Sequence, residues 1–261
     1  MDLKIKAKNA LVSGGTHGIG RSIALALADE GCNVAVFSRD AERVEKMGKE
    51  LKAKKADYFS IQADAMLKSD IERVMNAIIS KWGTIHILVN NVGGGGRWGN
   101  EIVEETKEDV WQEVYDKNVL TAIRLTVMAM PYMRKQKWGR VVTITSIYGR
   151  EGGGRPWFSM AKTAQTSFMK AMAKKHYLSK DNITFNSVAP GAIMIPDTGW
   201  GKMARENPRE LEEFIGKELP LGRLGTPEEI ASVVVFICSE QASLLNGASI
   251  SVDGGQSNSL L

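Results

Sequence analysis

The sequence predicts an α/β fold, a single Rossmann-type domain in which a doubly wound parallel sheet of about seven strands carries helices on both faces. Two observations carry that prediction. Near the N-terminus a short apolar strand runs through a glycine-rich turn directly into a helical segment, and thereafter short apolar runs alternate with helical stretches to the end of the chain, the pattern of parallel strands covered on both sides. A length of 261 residues, 43% of them hydrophobic, can bury a large core, and no Pro/Ser-rich linker divides it, so one domain over 1–261 is expected.

The first strand is Asn9-Ala10-Leu11-Val12-Ser13, followed by Gly14-Gly15-Thr16-His17-Gly18-Ile19-Gly20 and a helical run over 21–29. A turn of this kind lets backbone approach a pyrophosphate closely, with the amides of the helix N-terminus aimed at its charge. Gly14, Thr16, His17, Gly18, Ile19 and Gly20 are therefore candidate dinucleotide contacts, although glycines alone also fit a purely structural turn. Further strands are predicted at residues 33–37, 58–62, 85–90, 140–146, 184–188 and 249–252, with long helices at 109–133 and 158–178. There is no repeat of fixed period and no low-complexity tail.

Charge excludes some function classes. The net charge of +4 comes from 34 basic and 30 acidic residues spread along the chain, so no basic stripe calls for nucleic acid. The longest apolar run, residues 231–238, is far too short to span a bilayer, and residues 1–6 have no apolar signal core. A soluble cytoplasmic protein is expected. Cys32 and Cys238 have no metal-ligand spacing and read as inert core thiols. His17, His86 and His176 are scattered, and no metal is assigned.

The strand at 85–90 ends in Asn90-Asn91-Val92-Gly93, and the strand at 140–146 ends in Ser146. With Gly14-x3-Gly18-x-Gly20, Asn118, Lys162, Pro190-Gly191 and the closing Val252-Asp253-Gly254-Gly255, these motifs, in this order and spacing, resemble the short-chain dehydrogenase/reductases over residues 8–255. The resemblance implies reduction of a ketone, or oxidation of a secondary alcohol, by a nicotinamide cofactor. In that family a tyrosine donates the proton. The lysine one helical turn later binds the ribose and lowers the tyrosine pKa, a serine binds the carbonyl oxygen, and an asparagine supports a water relay. Ser146, Lys162 and Asn118 match three roles, but the tyrosine position holds Phe158, which keeps the ring and lacks the hydroxyl. Positions 158 and 162 share a helix face.

Two accounts of Phe158 are open. It is an engineered replacement of tyrosine, or it is a natural feature of a non-catalytic nucleotide-binding or sensing protein, or of an enzyme with another donor, for which Tyr148 is the candidate.

In doubly wound folds an acidic residue at the end of the second strand holds the ribose hydroxyls, whereas an arginine there accommodates a 2′-phosphate. This chain has Ser38-Arg39 at that place, which predicts NADP(H) over NAD(H). By resemblance, Asp64 and Ala65 face the adenine, Asn91, Val92 and Gly93 the nicotinamide-side ribose, and Pro190, Gly191 and the Ile193 backbone the nicotinamide; Asp64 also fits a helix cap. Where the family often has threonine in this last loop, the chain has Ile195, with Thr198 three residues later.

The substrate mouth is expected under the least family-like segments, with Arg97, Tyr148, Arg150, Arg155, Trp157 and Trp200 as candidate contacts and a lid over 194–216. Three arginines at one mouth would suit an anionic substrate; solvated loop arginines are the competing reading. The small-molecule substrate is otherwise open among acyl thioester, steroid, sugar and simple ketone. By analogy with that family the two long helices would pair subunits in a homotetramer, or in a dimer.

Overall fold

In the computed structural model, which describes residues 1–260, seven parallel strands form one sheet in the order β3-β2-β1-β4-β5-β6-β7. The strands are β1 (Asn9–Ser13), β2 (Asn33–Ser38), β3 (Tyr58–Gln62), β4 (Ile87–Asn90), β5 (Gly139–Ile144), β6 (Ile183–Pro190) and β7 (Ser249–Val252). Every residue of β1, β4, β5 and β6 is buried, which is why these segments read as nearly continuous apolar runs. β4 starts two residues later than expected because the Ile85 carbonyl accepts a hydrogen bond from the Gln136 side chain. The strand order reverses between β1 and β4, and in open parallel sheets the crevice beyond the strand C-termini at such a switch point receives ligands.

Two apolar layers hold the sheet. On one face α1 (Gly18–Asp29) packs against α10 (Pro227–Ile237), with Ile23, Leu27, Ile230, Val234 and Ile237 all fully buried. Each such side chain contributes about 1.5–3 kcal/mol on leaving water. α10 is started by a capping box in which Thr226 Oγ1 accepts from Glu229 N–H and the Glu229 carboxylate accepts from Thr226 N–H. The other face is covered by α3 (Lys68–Trp82), α5 (Thr121–Lys135) and α6 (Pro156–Ala173), through residues such as Ile71, Val74, Leu125, Met133 and Met169. α2 (Ala41–Ala53) flanks β2 and β3.

Three predicted segments take a different form. The helix expected at 109–133 is α4 (Glu108–Tyr115), a π-turn at Asp116–Leu120 and then α5, one continuous run with a single widened turn. The helix expected at 158–178 stops at Ala173, because the Ala173 carbonyl accepts from Ser179 Oγ at 3.0 Å and from Asn246 Nδ2 at 3.2 Å; a separate α7 (His176–Lys180) follows. The segment 194–216 is built of α8 (Gly199–Glu206) and α9 (Pro208–Glu218), which pack through Trp200 and Phe214 with ring centroids 4.6 Å apart. Among the described residues no helix is long and apolar enough to cross a membrane.

Candidate active site

The glycine turn is pinned from β4. Ser13 Oγ accepts from the backbone N–H of Asn91 at 2.9 Å and of Val92 at 3.1 Å, while Asn91 Nδ2 donates to the carbonyls of Ser13 and Gly14. The Asn91 side chain thus serves the turn, and its backbone faces the cleft. A Cβ at position 20 would lie 2.4 Å from both Asn91 Nδ2 and the Gly14 carbonyl, so Gly20 permits the close packing of α1 on this turn and, unlike its neighbours, does not line the cleft. Gly14, Thr16, His17, Gly18 and Ile19 form one wall, Ser38 and Arg39 the end of β2, and Asp64, Ala65, Asn91, Val92 and Gly93 the far side. The cavity of about 420 Å³ falls within the span of small-molecule sites.

Its electrostatics are set at the end of β2. Asp40 is drawn away from the cleft's net charge: its carboxylate accepts from Arg43 N–H at the start of α2 and pairs with Arg43 Nε at 3.2 Å. Arg39 has no carboxylate partner among the described residues; only its carbonyl is engaged, accepting from Gln62 Nε2. Lys117 and Arg43 line the same cavity, two cations that sequence reasoning did not name. Burial, and next the charge of Arg39, hold the Lys117 pKa below the ordinary lysine value. His17 Nε2 lies 3.5 Å from Asp197, yet burial, with Arg43, keeps the imidazole pKa low. Asp64 lines the cavity and orders the turn before α3 without capping the helix, whose N-cap is Leu67: its Oδ1 accepts from Met66 N–H and its own N–H donates to Asp70.

A second cavity continues past Gly93 and brings together Ser146, Phe158, Lys162, Pro190, Gly191 and Ile193. Ser146 follows β5 and caps a short turn, its Oγ accepting from Tyr148 N–H at 3.3 Å, and among the described residues its own proton has no acceptor. Lys162 is 4% exposed, and burial lowers its pKa to about 7. Its ammonium donates to the Ile144 carbonyl and to Gln165 Oε1, both at 3.0 Å, and lies 5.6 Å from the Phe158 ring centroid. Gln165, fully buried and absent from the sequence-based set, then donates from Nε2 to the Asn118 carbonyl at 2.7 Å. The amide therefore joins the lysine to the π-turn, a motif often found at functional sites. The Asn118 side chain does not face the second cavity; it exchanges hydrogen bonds with Gly94 and donates to the Val114 carbonyl. A Cβ at Gly93 would sit 2.6 Å from Asn118 Oδ1 and 3.1 Å from Lys162 Nζ, so only glycine lets the strand end approach this pair.

In the loop after β6, Gly225 pairs with the Ala192 carbonyl and the Met194 N–H, and the Ile193 amide makes no hydrogen bond among the described residues. Ile195 borders both cavities with a hydrocarbon side chain, and Thr198 Oγ1 donates to the Ile195 carbonyl at 2.8 Å, so neither replaces the hydroxyl the family often has there.

Of the expected substrate contacts, Arg97, Tyr148 and Trp200 line the space beside Ser146 and Phe158, and three do not. Trp157 is fully buried, edge-on to Trp111 at 5.2 Å with its Nε1–H donating to the Gly95 carbonyl, because a large ring gains more in that core than at a wet mouth. Arg150 donates to the Ser249 carbonyl of β7. Arg155 is held by the Asn100 carbonyl and Glu101. The cluster of three arginines is therefore reduced to Arg97, whose guanidinium stacks on Trp200 at 5.1 Å. Gln256, which sequence reasoning also missed, joins this wall from the C-terminal segment. Among the described residues no cluster of His, Cys, Asp and Glu could hold a metal.

Residues 14–257 match the family described as Enoyl-(Acyl carrier protein) reductase. The chain is 34% identical over 250 residues to the 3-oxoacyl-[acyl-carrier-protein] reductase FabG of Staphylococcus aureus, covering 95% of this chain and 97% of that protein. Among solved structures it superposes on L-sorbose reductase from Gluconobacter frateurii, complexed with NADPH and L-sorbose, with a TM-score of 0.93, 30% identity and full coverage of both chains. It also superposes on an actinorhodin polyketide ketoreductase variant with NADPH, at a TM-score of 0.89 and 27% identity over 97% of this chain and 98% of that one.

Proposed function

The chain belongs to the short-chain dehydrogenase/reductases, oxidoreductases acting on C=O and CH–OH groups, and on that premise we propose an NADP(H)-dependent site interconverting a ketone and a secondary alcohol, disabled here by Phe158. The observation that carries this reading is the continuity of the two cavities. A cleft lined by Arg39, Arg43 and Lys117 shares Ile19, Asn91, Gly93 and Ile195 with the cavity of Ser146, Lys162 and Phe158.

The nicotinamide, when bound, would supply the hydride. Arg39 would pair with a 2′-phosphate as a charged fork, helped by the Asp40–Arg43 ion pair, which removes the nearest repelling carboxylate. Two solved relatives contain NADPH, which supports this preference. Lys162 has two of its three N–H bonds taken by Ile144 and Gln165, leaving one to reach a ribose hydroxyl in the cleft. Ser146 Oγ–H would bind the carbonyl oxygen. The proton that must reach the forming alkoxide has no donor at position 158, and loss of a positioned general acid costs about 10²–10⁴ in rate. Turnover should suffer far more than nucleotide affinity.

Phe158 itself favours a second reading, a nucleotide-binding sensor with no reaction. The proposal further includes a homotetramer in the cytoplasm, supported by family resemblance and by the exposure of Val127 (56%) on α5 and Met160 (45%) on α6. The test titrates NADPH into the chain as written and into its Phe158→Tyr form, then assays both on a panel of ketones. Equal NADPH affinity with turnover only after Phe158→Tyr supports the disabled enzyme. Tight NADPH binding with both forms silent would turn the assignment to the sensor.

A further inference from the structure

The recess beside Phe158 differs from an acyl-chain groove in the chemistry of its wall. It encloses about 230 Å³, and five donor-bearing side chains line it: Ser146, Tyr148, Trp200, Gln256 and Arg97. None has an acceptor for its donors among the described residues. Among the described residues the Ser146 oxygen only accepts, from Tyr148 N–H, the Tyr148 hydroxyl makes no hydrogen bond, and the Arg97 guanidinium lies over the Trp200 ring without a hydrogen-bond acceptor. No carboxylate lines the recess to supply an acceptor.

Gln256 is the most constrained of the polar ones. Its Oε1 accepts from Ala192 N–H at 2.7 Å, which fixes the amide plane and leaves the Nε2 donors without a protein partner. The segment that carries it is clamped from three sides. Asp253 accepts from the N–H groups of Gly255 and Ser257, and Glu151 Oε2 accepts from Ser257 Oγ at 2.8 Å and from Asn258 N–H at 2.9 Å. Glu151 follows the Ser146 turn and Ala192 follows β6, so the C-terminal segment is fastened to both loops that border the recess.

We propose that the substrate is a small, oxygen-rich ketone, a ketose or keto sugar acid, and that Gln256 selects it by donating from Nε2 to a substrate oxygen. The inference rests on the oxidoreductase reading above. An apolar acyl tail in this recess would bury the donors of five side chains without partners, and each such group costs free energy that a hydroxylated ligand recovers. A site built to hydrogen-bond a substrate oxygen rejects analogues that lack it far more strongly than an apolar pocket rejects an added hydroxyl. The Phe158 ring supplies an aromatic face for the ligand's C–H surface, and Arg97 stands where a carboxylate could be paired.

The test uses the chain as written, saturated with NADPH, so that binding is read without turnover. L-sorbose, ketogluconate, cyclohexanone and the N-acetylcysteamine thioester of acetoacetate are titrated by change in NADPH fluorescence. The two sugar ketones are expected to bind at least tenfold more tightly than the other two. Gln256→Glu keeps the oxygen that accepts from Ala192 and replaces the donor by an acceptor, so it should erase that preference, with NADPH affinity reporting on the fold. Tighter binding of ketogluconate than of L-sorbose assigns the extra recognition to Arg97; equal binding assigns it to hydroxyls alone; both support the proposal. Equal or tighter binding of the thioester or cyclohexanone, or a Gln256→Glu form that keeps the preference while binding NADPH normally, overturns the substrate class and leaves the reaction class standing. Failure of NADPH to bind overturns the oxidoreductase reading, and the substrate proposal with it.

Discussion

Arg39→Leu should separate the two nicotinamide nucleotides. Arg39 is exposed at the end of β2, has no carboxylate partner and faces the cavity that Arg43 and Lys117 also line. A charged hydrogen-bonding pair of this kind contributes about 1.5–3 kcal/mol. At about 1.4 kcal/mol per tenfold, its removal predicts a roughly 10- to 150-fold rise in the NADPH dissociation constant. The lower half of that span is expected, because Lys117 remains as a second cation and Arg39 is solvated and screened over about 8–10 Å at ordinary ionic strength. NADH carries no phosphate at that place, so its affinity should change less than twofold. Both are measured by fluorescence titration at two salt concentrations; the proposed preference of the unsubstituted chain for NADPH should shrink at the higher salt, and Arg39→Leu should respond less. Equal weakening of NADPH and NADH, or no change in either, would refute the assignment of Arg39 to the phosphate.

Three further outcomes follow from the buried parts of the site. Burial lowers the Lys162 pKa from 10.5 to about 7, so between those values the unfolded chain holds a proton the folded chain has released, and stability rises with pH across that window; the stability of wild type relative to Lys162→Met should therefore increase from about pH 7 to 10, and a flat difference in urea melts would contradict the buried, weakly basic amine. Gln165→Leu strips partners from the Asn118 carbonyl and from Lys162 and should cost about 1–3 kcal/mol per buried group in the same melts, with Gln165→Glu instead raising the lysine pKa. Trp157→Ala should cost about 3–5 kcal/mol as a core truncation; near-neutral stability would return Trp157 to the substrate mouth.

The sheet was readable because buried parallel strands are almost uninterrupted apolar runs, and β1, β2, β3 and β7 start where those runs start. The glycine turn, Ser146 and Lys162 were equally open to view, since motif spacing along one chain translates into neighbours at adjacent strand ends. What escaped was set by tertiary partners. Nothing local marks the π-turn at Asn118, and Gln165 and Gln256 acquire meaning only when the Asn118 carbonyl and Ala192 N–H arrive beside them. Arg150 and Arg155 read as mouth residues from their loop, but Ser249 on one side and Glu101 on the other compete for them. The helices of 194–216 did leave a signal in the spacing of Trp200 with Met203 and Leu211 with Ile215, and Pro208 stands at the first turn of α9.

On the proposed function, this chain keeps a nucleotide and carbonyl site and lacks only its acid. Single-turnover oxidation of bound NADPH by a ketone, followed in the chain as written and in Phe158→Tyr, addresses it directly. The account predicts a rate gain of about 10²–10⁴ from the added hydroxyl with the NADPH dissociation constant unchanged. Equal single-turnover rates in the two forms would contradict it and move the proton donor away from position 158, with Tyr148 the next residue to replace.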